Sequence, residues 1–227
     1  MRSAFTILVL LALSVGPASA QVGPSAAELS GYTGLHAAAA RGDVADIEKR
    51  IAAGENKEAT DPRLRTALHV AAFQKQHEAA RALIRLGSDP NKLEADRYDI
   101  ITIAAVTNDL PMLKIAIEGG GNARAITSRY DGTALIAAAH LGHAEVVRML
   151  IAAKAPLDHV NNLNWTALIE SIVLGDGGRS HTDTLRALVE AGANVNIPDR
   201  SGTTPLGLAR ARGYAEMVRI LELAGAG

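Results

Sequence analysis

Two carboxylates, a guanidinium and an imidazole follow one another closely near the C-terminal end of the chain. Glu170 precedes a glycine-rich stretch, and Asp176, Arg179 and His181 lie within it. Carboxylate and imidazole side chains can act as general acids or bases, and a guanidinium beside glycine backbone can bind an anion. The stretch lacks the G-x-x-x-x-G-K-S/T pattern of a phosphate-binding loop. These four residues therefore define a candidate catalytic or anion-binding site without a motif that names its substrate.

Other familiar chemistry is excluded or only weakly indicated. The chain has no cysteine, which excludes disulfides, thiolate metal sites and a cysteine nucleophile. His140 and His143 lie three residues apart, but no acidic third ligand recurs near them, so neither a metal nor a cofactor is predicted. The 23 basic and 24 acidic residues leave a net charge of -1, which is not typical of a protein that binds nucleic acid.

The N-terminal residues have the pattern of a secretory signal. Arg2 precedes an apolar run over residues 4–15, and A-S-A at residues 18–20 places small residues where a signal peptidase cleaves. The run is too short to span a bilayer as a helix. We expect residues 1–20 to be a signal peptide and residues 21–31 a linker. The mature chain, without a stable membrane anchor and without cysteine, is then expected in a bacterial periplasm.

The remainder of the chain repeats with a period close to 33 residues. A helix-start pattern recurs six times, and its apolar anchor residues are Leu35, Leu68, Ile101, Leu135, Leu168 and Leu206. The spacings of 33, 33, 34, 33 and 38 residues show one extra residue and one insertion of five. The insertion falls at about residues 175–183, which is the glycine-rich stretch described above.

Each repeat carries signals for two helices. Two residues before every anchor stands Thr or Asp, which are types that cap a helix N-terminus. Seven residues after the anchor stands a residue, mostly glycine, that tolerates left-handed backbone and can end the first helix. A second segment follows with apolar residues at the spacing of a helix, and it too is mostly followed by glycine. The pattern predicts an all-α solenoid of six helix-turn-helix repeats, each connected to the next by an extended finger.

Two motifs in this pattern resemble a known family. T-A-L-H-V-A-A at residues 66–72 and G-A-N-V-N at residues 192–196 resemble the T-P-L-H-x-A-A and G-A-D-V-N signatures of ankyrin repeats. The resemblance covers residues 32–227 and implies an ankyrin-repeat binding scaffold, with His36 and His69 hydrogen-bonded between neighbouring repeats. The chain also resembles secreted ankyrin-repeat proteins of Gram-negative bacteria, some of which are associated with defence against peroxide.

Stacked repeats align residues at equal offsets into columns along an extended surface. Three residues before the anchor, the column is aromatic in three of the six repeats, and arginines stand on the same fingers. Because Tyr, Trp and Arg dominate interface energetics, we predict a partner-binding surface there. Its residues are Arg65, Arg97, Tyr98, Arg129, Tyr130 and Trp165. The alternative is that these rings pack flat on the adjacent finger and only shield its backbone.

Glu170 stands in a column that is apolar in the other five repeats. A carboxylate there must pair, accept a raised pKa or reach water, and Arg179 and His181 are the predicted partners. The insertion is then a recognition site, a small catalytic or anion-binding centre, or a loop held by a Glu170 salt bridge. We expect a monomeric, non-enzymatic scaffold that binds another protein; the alternative is an enzyme or small-ligand protein centred on the insertion.

Overall fold

Six pairs of helices follow one another in the computed structural model, which describes residues 23–227. The first helix of each pair, called the inner helix, packs on neighbouring inner helices, and the second, called the outer helix, packs on neighbouring outer helices. The described elements are α1 (Ala26–Gly31), α2 (Gly34–Arg41), α3 (Val44–Ala52), α4 (Ala67–Phe73), α5 (His77–Arg85), α6 (Ile100–Val106), α7 (Leu110–Glu118), β1 (Ile126–Thr127), β2 (Gly132–Thr133), α8 (Ala134–His140), α9 (Ala144–Ala152), α10 (Ala167–Val173), α11 (Arg179–Glu190), α12 (Pro205–Arg212) and α13 (Ala215–Leu223). The predicted all-α solenoid of six repeats is confirmed.

The inner helices begin at the capping residues that the sequence predicts. Five of these side chains accept a hydrogen bond from the backbone N–H three residues further on, namely Thr66, Asp99, Thr133, Thr166 and Thr204. Thr33 makes no such bond, and the Leu35 N–H there donates to Glu55 of the following finger at 2.7 Å. In both arrangements an acceptor is supplied to an N–H group that the helix itself leaves unpaired.

Every outer helix is followed by a residue with left-handed backbone. The φ angles lie between 66° and 93°, and the residues are Gly54, Gly87, Gly120, Lys154, Gly192 and Gly225. After the inner helices, the same conformation occurs at Gly42, Lys75, Asn108, Gly142 and Gly213. In the fifth repeat it occurs at Gly177 rather than at the expected Gly175, because the inserted residues move the turn along the chain.

Small side chains separate neighbouring inner helices. The residue three positions after each anchor has 0% exposure in all six repeats, and these residues are Ala38, Ala71, Ala104, Ala138, Ser171 and Ala209. A side chain of one or two heavy atoms lets the inner helices lie close together, so that the larger aliphatic groups beside it interlock at the density of a protein core.

Side chains at the start of the outer helices connect each repeat to the one before it. Gln76 Nε2 donates to the Ala40 carbonyl at 3.2 Å, and Tyr214 Oη donates to the Gly175 carbonyl at 2.9 Å. His143 Nδ1 lies 2.9 Å from the Ala105 carbonyl. The Ala40 and Ala105 carbonyls lie in the last turns of the preceding inner helices, and the Gly175 carbonyl lies two residues after the end of α10, so these acceptors have no partner within the helix.

The finger tips share one construction. Seven residues before each anchor, a side-chain oxygen accepts from the backbone N–H groups two and four residues further on, at Asp61, Glu94, Ser128, Asn161 and Asp199. Only the third of these fingers forms a regular antiparallel hairpin among the described residues, with β1 paired to β2. Adjacent fingers are linked by single backbone hydrogen bonds, such as Ala95 N–H to the Arg63 carbonyl at 2.9 Å.

Two segments differ from expectation. The predicted linker, residues 21–31, contains helix α1, which begins at a capping box formed by Ser25 and Glu28. The inserted residues lengthen helix α11 to 12 residues, whereas the other outer helices have nine. The predicted signal peptide, residues 1–20, lies outside the described residues. Within residues 23–227 no helix has the length and apolar character needed to cross a bilayer.

The left-handed lysines provide a test of how the repeats end. Lys154 has a φ of 66° and Lys75 one of 54°. Glycine adopts this region without the Cβ clash, so Lys154→Gly and Lys75→Gly should each raise the free energy of unfolding by about 1 kcal/mol in urea titrations. Lys114→Gly, in the middle of α7, is the matched control and should lower it by a similar amount. Destabilisation by the first two variants would contradict this account.

Candidate functional site

The exposed part of the predicted partner-binding surface lies on the second and third fingers. Tyr130 is 43% exposed, and Arg97 and Arg129 are exposed beside it. Tyr98 and Trp165 are half-buried, and Tyr98 packs against the hydrophobic core. The two interpretations of the aromatic residues therefore apply to different ones: Tyr130, two residues before its column position, offers its ring to solvent, whereas Tyr98, within the column, is mainly a packing residue.

Ion pairs connect these fingers to one another. Asp96 accepts from Arg129 of the next finger and from Arg63 of the preceding one, the latter at 3.1 Å. Arg97 pairs with Asp131 at 3.4 Å. The guanidinium groups of Arg97 and Arg129 are thus tied to carboxylates of neighbouring fingers. Such exposed pairs stabilise the chain by about 0–1 kcal/mol each, and they reduce the number of conformations that the side chains occupy.

Arg65 does not belong to the exposed surface, which corrects the sequence prediction. Its side chain is 1% exposed, and its guanidinium pairs with Asp61 at 2.7 Å and with Glu28 of α1. Tyr32 donates its hydroxyl to the same Asp61 carboxylate at 2.7 Å. Helix α1 covers the arginine, and its Ser25-x-x-Glu28 capping box was the signal in the sequence that could have revealed it.

The Glu28 carboxylate is strongly favoured in its charged form. The Ser25 backbone N–H and hydroxyl, followed by the Arg65 guanidinium, lower the pKa of Glu28 to about 2.

Two histidines bond to backbone carbonyls of the next finger. His36 Nε2 lies 2.9 Å from the Arg65 carbonyl, and His69 Nε2 lies 3.0 Å from the Lys92 carbonyl. The bonds between repeats that the family resemblance implied for these two histidines are therefore present.

Glu170 is buried, but its partners are not those expected from the sequence. It is 4% exposed, and its Oε1 accepts from Asn161 Nδ2 at 3.0 Å. Its Oε2 makes no hydrogen bond and lies 3.4 Å from His140 Nδ1, on the neighbouring inner helix. Burial raises the pKa of Glu170 to about 7, against the opposing effect of the Asn161 hydrogen bond. Burial and the nearby His181 lower the pKa of His140.

The predicted insertion-loop site does not assemble as proposed. Arg179 is 95% exposed at its side chain and pairs with Asp183, so it is not the partner of Glu170. His181 Nδ1 lies 3.2 Å from Asp176, and its Nε2 lies 3.0 Å from the His140 carbonyl. Allowing for the five inserted residues, His181 occupies the same place in its repeat as His143. It connects the fifth repeat to the fourth as His143 connects the fourth to the third.

The residue that sequence reasoning missed is His140. It joins the two halves of the predicted site, because its side chain faces Glu170 and its carbonyl faces His181. Both ring nitrogens of His181 have partners, and Glu170 Oε2 is closed to solvent. The arrangement is therefore a buried polar connection between two repeats. Within residues 23–227, no group of three or more Asp, Glu or His side chains is placed to hold a metal ion.

Comparisons with known proteins agree with this architecture. Family models for ankyrin repeats match residues 5–94, 100–199 and 177–222. The ankyrin repeat protein YahD of Escherichia coli is 33% identical over 190 residues, which cover 83% of this chain and 94% of that protein. The crystal structure of an ankyrin repeat domain from Acinetobacter baumannii superposes with a TM-score of 0.81 at 41% identity, over 85% of this chain and 98% of that one.

A more distant structure shares the same fold. The ankyrin repeat domain of Bcl-3, described as a member of the IkappaB family, is 25% identical with a TM-score of 0.78, and the match covers 87% of this chain and 88% of that one. The chain belongs to the ankyrin-repeat family. Ankyrin repeat proteins are generally interaction scaffolds without enzymatic activity, and their repeat domains generally bind other proteins.

Glu170 predicts a specific pH dependence of stability. The pKa of Glu170 is about 7 in the folded protein, whereas 4.5 is the value of an ordinary glutamate, as in the unfolded chain. Between these two pH values the folded chain therefore holds one proton more than the unfolded chain. The free energy of unfolding should therefore fall as pH rises from about 4.5 to 7. Glu170→Gln removes this titration and can still accept from Asn161. Measured by urea titration, the free energy of unfolding of the variant relative to that of wild type should rise by about 3 kcal/mol between pH 4.5 and pH 8.

Glu190→Gln is the matched control, because it removes an exposed carboxylate from the same repeat. Its profile should run parallel to that of wild type. If the Glu170→Gln profile also runs parallel to wild type, burial does not penalise the Glu170 carboxylate and the description of this site is wrong.

Proposed function

We propose that this protein is a monomeric periplasmic scaffold that binds a protein partner through its fingers and inner helices. The observation that carries the proposal is the exposed side chain of Tyr130, which lies on the same two neighbouring fingers as Arg97 and Arg129, whose guanidinium groups pair with Asp131 and Asp96. An aromatic ring with preorganised arginines is the composition of an interface hot spot. Membership of a family whose domains generally bind proteins supports the same function.

The insertion has a structural role in this proposal. The sequence left open a catalytic or anion-binding centre formed by Glu170, Asp176, Arg179 and His181. Because Arg179 extends into solvent and His181 is fully engaged, these four groups do not converge on one ligand position. We therefore favour binding through the finger surface over chemistry at the insertion.

Replacing the exposed Tyr130 together with the half-buried Trp165 tests the binding surface. Tyr130→Ala combined with Trp165→Ala should weaken binding at least about thirty-fold, since loss of a hot spot changes the binding free energy by about 2 kcal/mol or more. Tyr98 is left intact because it packs against the core. The measurement is capture of periplasmic proteins by immobilised chain, followed by titration of each protein that wild type retains.

Leu223→Ala is the control, because it removes an apolar side chain that is 77% exposed on α13, away from the fingers. Both variants should keep the helical circular dichroism of wild type. Equal affinity of the double variant and wild type for the captured protein would show that the partner does not use this surface.

The periplasmic location and a role in defence against peroxide form one further part of the proposal. The signal-like residues 1–20 support the location, and resemblance to secreted ankyrin-repeat proteins supports the role. A strain that lacks the protein should lose viability in peroxide. The full chain should restore survival, whereas a chain without residues 1–20 should not. Survival of the unmodified deletion strain would contradict the peroxide role, and rescue by the truncated chain would contradict the location.

A further inference from the structure

The residues five positions after each anchor form a row along the stacked inner helices, and we call this row, together with the finger residues that directly precede the helices, the groove. In the first five repeats the members of the row are half-buried: Ala40, Phe73, Val106, His140 and Val173. The finger residues include Arg65 and Trp165. The two ends of this groove differ in what occupies them.

At the N-terminal end, the chain itself occupies the groove. Gly23 lies against the Phe73 ring, so that a Cβ at this glycine would be 3.0 Å from Phe73 Cδ1. Pro24 is buried beside it, and Glu28 places its carboxylate on Arg65. Residues 23–31 thus make two contacts: small apolar residues meet the inner-helix side, and a carboxylate four or five positions later meets a finger arginine.

At the C-terminal end, the corresponding groups are open. Arg200 of the last finger donates to the Asn162 carbonyl at 2.9 Å, and Arg212 at the end of α12 donates to the Val173 carbonyl at 3.2 Å. Each guanidinium reaches back by one repeat, Arg212 to the half-buried Val173 itself and Arg200 to the finger that carries the half-buried Trp165. Both arginines are exposed, and no carboxylate among residues 23–227 lies within ion-pair distance of either.

We propose that the groove over repeats four to six binds a short acidic peptide segment of the partner, in the manner in which residues 23–31 bind at the other end. Its carboxylates pair with Arg200 and Arg212, and small apolar residues a few positions away rest on Trp165 and Val173. A guanidinium has five N–H donors, so one bond to a backbone carbonyl fixes its position and leaves donors for a bidentate contact with a carboxylate. This inference rests on the proposed function and specifies the partner's chemistry.

Selection from a library of random twelve-residue peptides displayed on phage tests the inference with the full chain as bait. The enriched peptides should carry Asp or Glu together with small apolar residues. Synthetic copies should bind more weakly as salt increases, because exposed ion pairs are screened. Arg200→Gln with Arg212→Gln should weaken their binding at least ten-fold.

The control variant is Arg186→Gln with Arg219→Gln, which removes the same charge from the outer helices. It should bind the peptides as wild type does. Enrichment of neutral or basic peptides, or equal binding by the Arg200 and Arg212 variant, would overturn the inference. If the Arg200 and Arg212 variant still binds the captured protein partner while the Tyr130 and Trp165 variant does not, the scaffold function stands. In that case the inference that the partner presents an acidic segment is wrong. If neither variant loses the partner, the proposed surface itself is wrong.

Discussion

Close approach of neighbouring inner helices is the contact on which the remaining structure depends. A single helix pair cannot bury its own apolar face, so each repeat is stable only between its neighbours. The short side chains at the third position after each anchor, such as Ala71 and Ala104, permit that approach. Once the inner helices are stacked, the finger bases are spaced by one repeat. Their backbones are then near enough for the bond from Ala95 to Arg63 and for the sharing of Asp96 between two arginines.

Much of this architecture could be predicted from the sequence because each repeat carries the same local signals. Capping residues such as Thr166 and left-handed residues such as Gly192 act within a few positions of the chain, so their spacing alone locates the helices. The predictions for single side chains were weaker. Arg65 shares a column with aromatic residues, which predicts a place on the binding surface, but it is buried because α1, a segment outside the repeat pattern, pairs with it.

The insertion shows the same limit. Arg179 is near Glu170 in the sequence, yet the inserted residues extend α11 by its first turn and leave Arg179 in solvent. The group that does face Glu170 is His140, one repeat earlier. Periodicity could have identified His140. It is the one polar residue at its position in the repeat, Glu170 is the one polar residue at another position, and the two lie on adjacent inner helices. A carboxylate with an unsatisfied buried oxygen is unfavourable at neutral pH, and the hydrogen bond from Asn161 relieves only part of that penalty.

The hydrogen bonds from Gln76, His143, His181 and Tyr214 to the preceding repeats each cross a single boundary. A force that pulls the two ends of the chain apart acts on these boundaries in series. Because no such side chain reaches over two boundaries, separation of one pair of repeats leaves the other connections intact. Under tension the protein should therefore lengthen in steps of about one repeat, and it should recover by restacking each repeat on a neighbour that is still folded.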